Sequence, residues 1–85
     1  MKVKVNPKGL LGAPVYTHLP YGVEMEYSNL LCNGNFPEYS EYLTPIIEWL
    51  QAEYGVGAFE RWYDSNYAPG ETFLIFSGGQ SVVLY

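Results

Sequence analysis

The chain predicts an α+β domain, with one main helix packed on a mainly antiparallel sheet in the order β-β-α-β-β-β. Three observations carry that prediction. Residues 45–54 form an apolar-striped segment with a helix start at Thr44-Pro45 and a stop at Gly55. Two β-prone runs, residues 72–76 and 81–85, flank Gly78-Gly79, the turn chemistry of a hairpin. No internal repeat, linker or low-complexity tract interrupts the 85 residues, so the whole of 1–85 is expected to be a single small domain.

Each element follows from its own residues. Lys2-Val3-Lys4-Val5 alternates charge with β-branched side chains, the mark of a half-buried strand, and the proline of Asn6-Pro7 ends it by withholding an amide donor. Residues 8–22 hold three glycines and two prolines and read mostly as loop, with residues 14–17 extended ahead of a Pro20-Tyr21-Gly22 turn. Residues 22–27 alternate again, placing Val23, Met25 and Tyr27 on one side and Glu24 and Glu26 on the other, so a second strand is expected there. Asn33-Gly34-Asn35 supplies turn positions, and Phe36-Pro37 leads towards the helix.

In that helix Thr44 is the expected N-cap and Pro45 the first helical residue, while Gly55 takes the left-handed position past the end. Ile46, Ile47, Leu50 and Tyr54 line one side, Trp49 sits at its margin, and Glu48, Gln51 and Glu53 face solvent. Residues 37–42 form at most a preceding helical turn, because Pro45 disfavours α geometry at Thr44 and a break is expected there. Residues 59–64 fit helix or strand, and their bulky aromatics favour strand. The hairpin runs, Phe73-Leu74-Ile75-Phe76 and Val82-Val83-Leu84, are apolar on both faces. The hairpin is therefore either sandwiched in the fold or offers a face to another protein, and the final strand is a candidate for pairing with a partner's edge.

Composition bounds function. Fifteen residues are Tyr, Trp or Phe, only four are Lys or Arg, and the net charge is −5. Such a balance disfavours direct nucleic-acid binding, which needs clustered cations to displace condensed counterions. Lys2, Lys4 and Lys8 make a small basic corner opposite a more acidic body, too few for a nucleic-acid groove. Cys32 is the only cysteine, which rules out an intrachain disulfide. The opening residues resemble no signal peptide, and no run approaches the ~20 apolar residues that span a bilayer. A cytoplasmic protein is expected, in the host cytoplasm if it is viral.

Chemistry-bearing patterns are sparse. His18 and Cys32 are the sole imidazole and thiol, and a dyad between them has no surrounding signature, so a packed or surface thiol and a turn histidine are the expected reading. The pairs Glu24/Glu26, Glu38/Glu41 and Glu60/Asp64 read as solvated charge rather than as acid and base. Neither a calcium loop nor a histidine-rich spacing is present, and the glycine pairs complete no phosphate-binding motif. No enzyme activity, cofactor or metal is expected.

What remains is acidic and aromatic. Glu38, Tyr39, Glu41, Tyr42, Glu48, Trp49, Glu53, Glu60, Trp62 and Asp64 lie on or beside the helix and the following strand. Rings give desolvated anchors and carboxylates steer towards a positive partner, so this set is the candidate binding surface for a larger protein with a basic surface. In size and composition the chain resembles small phage-encoded proteins, among them anti-defence inhibitors such as anti-CRISPR proteins, which compete with nucleic acid. That resemblance rests on no motif and transfers no residue. It implies an inhibitor that blocks a basic or nucleic-acid-binding cleft. Two other readings stand beside it: a structural or virion subunit that associates through the C-terminal hairpin, and a small-ligand-sequestering protein with a tyrosine-lined pocket.

Overall fold

Alternation along the strands decides which side chains meet the helices. A computed structural model describes residues 1–9, 12–34, 41–64 and 70–85. It contains β1 (Lys2–Asn6), β2 (Val15–His18), α1 (Tyr21–Asn33), a 3-10 turn (Glu41–Leu43), α2 (Thr44–Tyr54), β3 (Phe59–Asp64), β4 (Thr72–Phe76) and β5 (Ser81–Leu84). The strands form one antiparallel sheet in the order β2-β1-β5-β4-β3, against which the two helices pack. The α+β class is as expected, and the element order is β-β-α-α-β-β-β.

Two neighbouring cross-strand rows define the sheet. Val15, Val5, Val82, Leu74 and Trp62 stand in register across all five strands. Val5, Val82 and Leu74, the middle three, are fully buried. Together with Val3, Leu84 and Phe76 they form the core with Leu43, Ile46 and Leu50 from the helical segments. The next row, Tyr16, Lys4, Val83, Phe73 and Tyr63, points the opposite way because successive side chains of a strand alternate. No described helix covers it.

The second helix follows its sequence closely. Ile46 and Leu50 are buried, Ile47, Trp49 and Tyr54 half-buried, and Glu48, Gln51 and Glu53 exposed, the stripe expected for an amphipathic helix. Gly55 ends it at φ 63°, donating its amide to the Gln51 carbonyl at 3.2 Å. Its start departs from expectation. Leu43, not Thr44, is the N-cap, its backbone is helical at φ −83° and ψ −12°, and no side chain caps it. The break expected at Thr44 is absent because the 3-10 turn runs straight into the helix. Pro45 is tolerated there, since the first amides of a helix have no intrahelical acceptor to lose.

The larger correction is at residues 22–27, which are helix rather than strand; the second strand is instead Val15–His18. Over six residues the alternation Val23, Met25, Tyr27 imitates a strand. Over the full thirteen residues of α1 the spacing Val23, Tyr27, Leu30 is helical, and these three are half-buried while Met25 and Leu31 are exposed. Pro20 precedes the helix and its carbonyl accepts from the Glu24 amide at 3.0 Å. None of α1 is fully buried; it leans on the core through Val23 and Tyr27.

The hairpin is as expected. Gly78 and Gly79 hold φ 77° and 80°, the positive values a primed turn demands, and Phe76 donates to the Gln80 carbonyl at 3.0 Å. The last strand is not an edge, however: β5 lies between β1 and β4 and is paired on both sides. The sheet edges are β2 and the bulged β3.

Candidate functional site

The carboxylates and the rings of the sequence-derived surface turn out to do different work. Glu41, Glu48, Glu53 and Glu60 are exposed, whereas Tyr42, Trp49 and Trp62 are half-buried and packed against the core. Tyr42 sits between Tyr27 of α1 and Trp62 of β3, at ring separations of 6.1 Å and 6.0 Å. Trp49 meets Tyr54 edge-on at 5.7 Å. These tilted and edge-on geometries are the ones aromatic quadrupoles favour, and the Tyr42–Trp62 pair joins the helical layer to the sheet. Asp64 lies in β3 opposite Thr72, while its side chain, Glu38 and Tyr39 fall outside the described residues.

The helical layer presents charge of one sign. Residues 19–60 contain no Lys, Arg or His and hold seven of the nine acidic residues, all but Asp64 and Glu71. Glu26, Glu41, Glu48 and Glu53 of its helical segments are exposed. Among the described residues the ion pair formed is between the Met1 amine and Glu24, at 2.7 Å, which leaves those four carboxylates without cationic partners.

The opposite face of the sheet is chemically distinct. Lys2, Lys4 and Arg61, three of the four Lys and Arg residues, occupy its outward registers with His18, and none of the paired outward positions is acidic. The Lys2 ammonium lies 5.6 Å from the Tyr16 ring centre and 5.4 Å from that of Tyr85, and the Lys4 ammonium lies 6.0 Å from Tyr16. At the other end Tyr63 stacks on Phe73 at 5.4 Å with 10° between planes. Tyr16, Tyr63 and Tyr85 remain 56%, 48% and 44% exposed.

Sequence reasoning placed Lys2 and Lys4 in a basic corner but did not gather Tyr16, Tyr63, Phe73 and Tyr85 around them. A usable signal existed. Alternation already set Lys2 and Lys4 opposite Val3 and Val5, and Phe73 opposite Leu74. Strand order, which brings β2 and β3 to the two ends of one face, is a long-range property that no local pattern carries.

Cys32 is exposed in the last turn of α1 and His18 is exposed at the end of β2, and no described hydrogen bond joins them. Among the described residues no group of three His, Cys, Asp or Glu is arranged to hold a metal ion, and no helix is long and apolar enough to cross a membrane. Comparison with known proteins gives no match to any family model, curated protein or solved structure.

Proposed function

We propose that this chain is a non-catalytic protein-binding domain whose acidic helical layer occupies a basic surface of a larger protein, and so acts as an inhibitor of a cationic, nucleic-acid-binding cleft. The observation that carries the reading is the cation-free stretch 19–60, with Glu26, Glu41, Glu48 and Glu53 displayed on its helical segments. Like charges displayed on one layer repel one another and add nothing to folding. Across an interface the same carboxylates steer encounter with a positive partner and suppress wrong ones. The half-buried rims of Tyr42, Trp49 and Trp62 lie on this side and supply the apolar contact that charge alone lacks.

The test begins with partner capture from a host lysate and continues with association kinetics on the purified partner. The association rate is expected to fall steeply as salt rises, and Glu41→Lys with Glu48→Lys is expected to abolish both the steering and any competition with nucleic acid for the partner. A partner bound equally well by the reversed-charge variant, at every salt concentration, would refute the reading.

A further inference from the structure

We propose that the face of the sheet turned away from the helices is a homodimer interface, in which a second copy of the chain packs face to face about a two-fold axis running parallel to β5. The inference is independent of the acidic layer, which lies on the other side of the molecule.

The outward row supplies the argument. Tyr16, Lys4, Val83, Phe73 and Tyr63 span the five strands with Val83 at the middle. Lysine and tyrosine stand on one side of it, phenylalanine and tyrosine on the other. Two sheets that meet face to face under two-fold symmetry must have the axis in the plane between them, either across the strands or along them. An axis across the strands lays Lys4 on Lys4, a repulsive contact. An axis along β5 reverses the row. It sets Lys4 of each copy over Phe73 of the other and Tyr16 over Tyr63, with Val83 against Val83.

The Lys4–Phe73 contact pairs an ammonium with an aromatic ring, a favourable geometry. The lysine already takes part in such a contact within its own chain. The same operation carries the Lys2 end of β1 over the Glu71 end of β4, because Val3, Leu84 and Thr72 share one register. The arrangement keeps the strands of the two sheets nearly aligned, as in sandwiches that pack at about 30° and 10 Å apart.

The size of the face sets the strength. Five strands at about 4.8 Å spacing, with four to six residues each at about 3.4 Å, give a face of roughly 24 by 16 Å. Interdigitated packing over it buries on the order of 600 Å2 per copy, near the lower limit for specific association. The dimer is therefore reversible, with a dissociation constant on the order of micromolar. It presents two acidic layers on opposite sides, which makes the assembly bivalent.

Sedimentation velocity on the full chain, from about 1 μM to about 1 mM, tests the proposal. A reversible monomer–dimer equilibrium that saturates at the dimer is expected. Phe73→Lys places an ammonium opposite the partner's Lys4 and is expected to weaken association by at least about tenfold. The double variant Phe73→Lys/Lys4→Glu sets opposite charges together at both symmetry-related contacts, and is expected to restore the dimer; only the axis along β5 makes that rescue possible. Tyr16→Ala, at an exposed edge position, is expected to weaken the dimer severalfold with an unchanged circular dichroism spectrum, which separates loss of association from loss of fold. A chain monomeric throughout the range, an assembly that grows past two copies, a dissociation constant indifferent to Phe73→Lys, or a double variant that stays monomeric would each overturn it. These outcomes are read without any partner protein and so do not depend on the acidic layer.

Discussion

The two faces of the sheet are one residue apart in register and opposite in character. Val15, Val5, Val82, Leu74 and Trp62 point towards the helices, and Tyr16, Lys4, Val83, Phe73 and Tyr63 point away. Both rows are rich in large apolar groups, but only the inward row is joined by Leu43, Ile46 and Leu50. They differ in cover and in the lysine and tyrosines that only the outward row carries. In the outward row Val83 is only 8% exposed, whereas Tyr16 and Tyr63 at the ends stay half open. The ends of such a row keep surface to contribute to an assembly.

The strongest way to break that comparison is to truncate one phenylalanine from each face of β4. Phe76 is fully buried and touches Phe59 at 5.6 Å; Phe76→Ala removes its transfer energy and leaves a cavity, so a loss of about 3–5 kcal/mol is expected. Phe73 keeps its Tyr63 contact but stands on the uncovered side. Phe73→Ala is expected to cost less than about 1.5 kcal/mol when measured by urea unfolding at concentrations where the chain is monomeric. Equal losses from the two variants would mean that the outward face is covered after all.

How far sequence alone reached follows the same division. The helix expected at 45–54, the hairpin about Gly78-Gly79 and the strand at 2–5 were legible because each carries its own local signal, a stripe, a turn, or an alternation ending at a proline, while the strand at 59–64 rested only on its bulky aromatics. The segment 22–27 misled because a strand period and a helix period coincide over six residues, and only Leu30, beyond that window, separates them. The inner position of β5 was not legible, since it depends on β1 returning to pair with the end of the chain. The candidate surface divided similarly. Exposed Glu48 and Glu53 follow from helical periodicity, but no local rule shows that Trp62 rests on Tyr42, or that the exposed tyrosines lie with the lysines.

Smaller effects are expected where the two layers are joined. The loop leaving α2 docks onto the hairpin turn: Gln80 accepts from the Gly57 amide and donates to the Pro7 carbonyl at 3.1 Å, while Ala58 and Ser77 exchange hydrogen bonds of 3.0 Å and 2.9 Å. A β-carbon at Gly57 would fall 2.0 Å from the Ser77 hydroxyl oxygen and 2.9 Å from Gln80 Oε1, so any larger residue must displace both side chains from their hydrogen bonds. Gly57→Ala is expected to destabilise by about 2 kcal/mol through displacement of this junction. Gln80→Ala, which leaves the Gly57 amide and the Pro7 carbonyl without that partner, is expected to cost about 1–3 kcal/mol. Thermal unfolding of the two single variants and the double variant checks the coupling. Costs that simply add would show that Gly57 and Gln80 act independently.

Below these lies the lysine–tyrosine cluster on the outward face. Lys2→Ala removes contacts to two rings and is expected to cost about 0.5–1 kcal/mol, since cation–π pairs at exposed sites are weak. Lys2→Arg is expected to retain that stability. A glutamine at the same position should behave like alanine, so the three variants together separate charge over a ring from chain length.

The smallest expected effect on stability belongs to the acidic layer, and it has the opposite sign. Glu41, Glu48 and Glu53 are exposed and form no ion pair among the described residues. Their mutual repulsion is worth only tenths of a kcal/mol in water. Neutralising all three as Glu41→Gln/Glu48→Gln/Glu53→Gln is therefore expected to leave unfolding stability unchanged or raise it by up to about 0.5 kcal/mol. The diagnostic is salt: added sodium chloride should stabilise the parent chain slightly by screening that repulsion, and this gain should vanish in the triple variant. If the triple variant instead unfolded more easily, the carboxylates would be holding the helices in place. Their display to solvent would then be a by-product of folding, and the helical layer would have no more claim to a partner than the buried row beneath it.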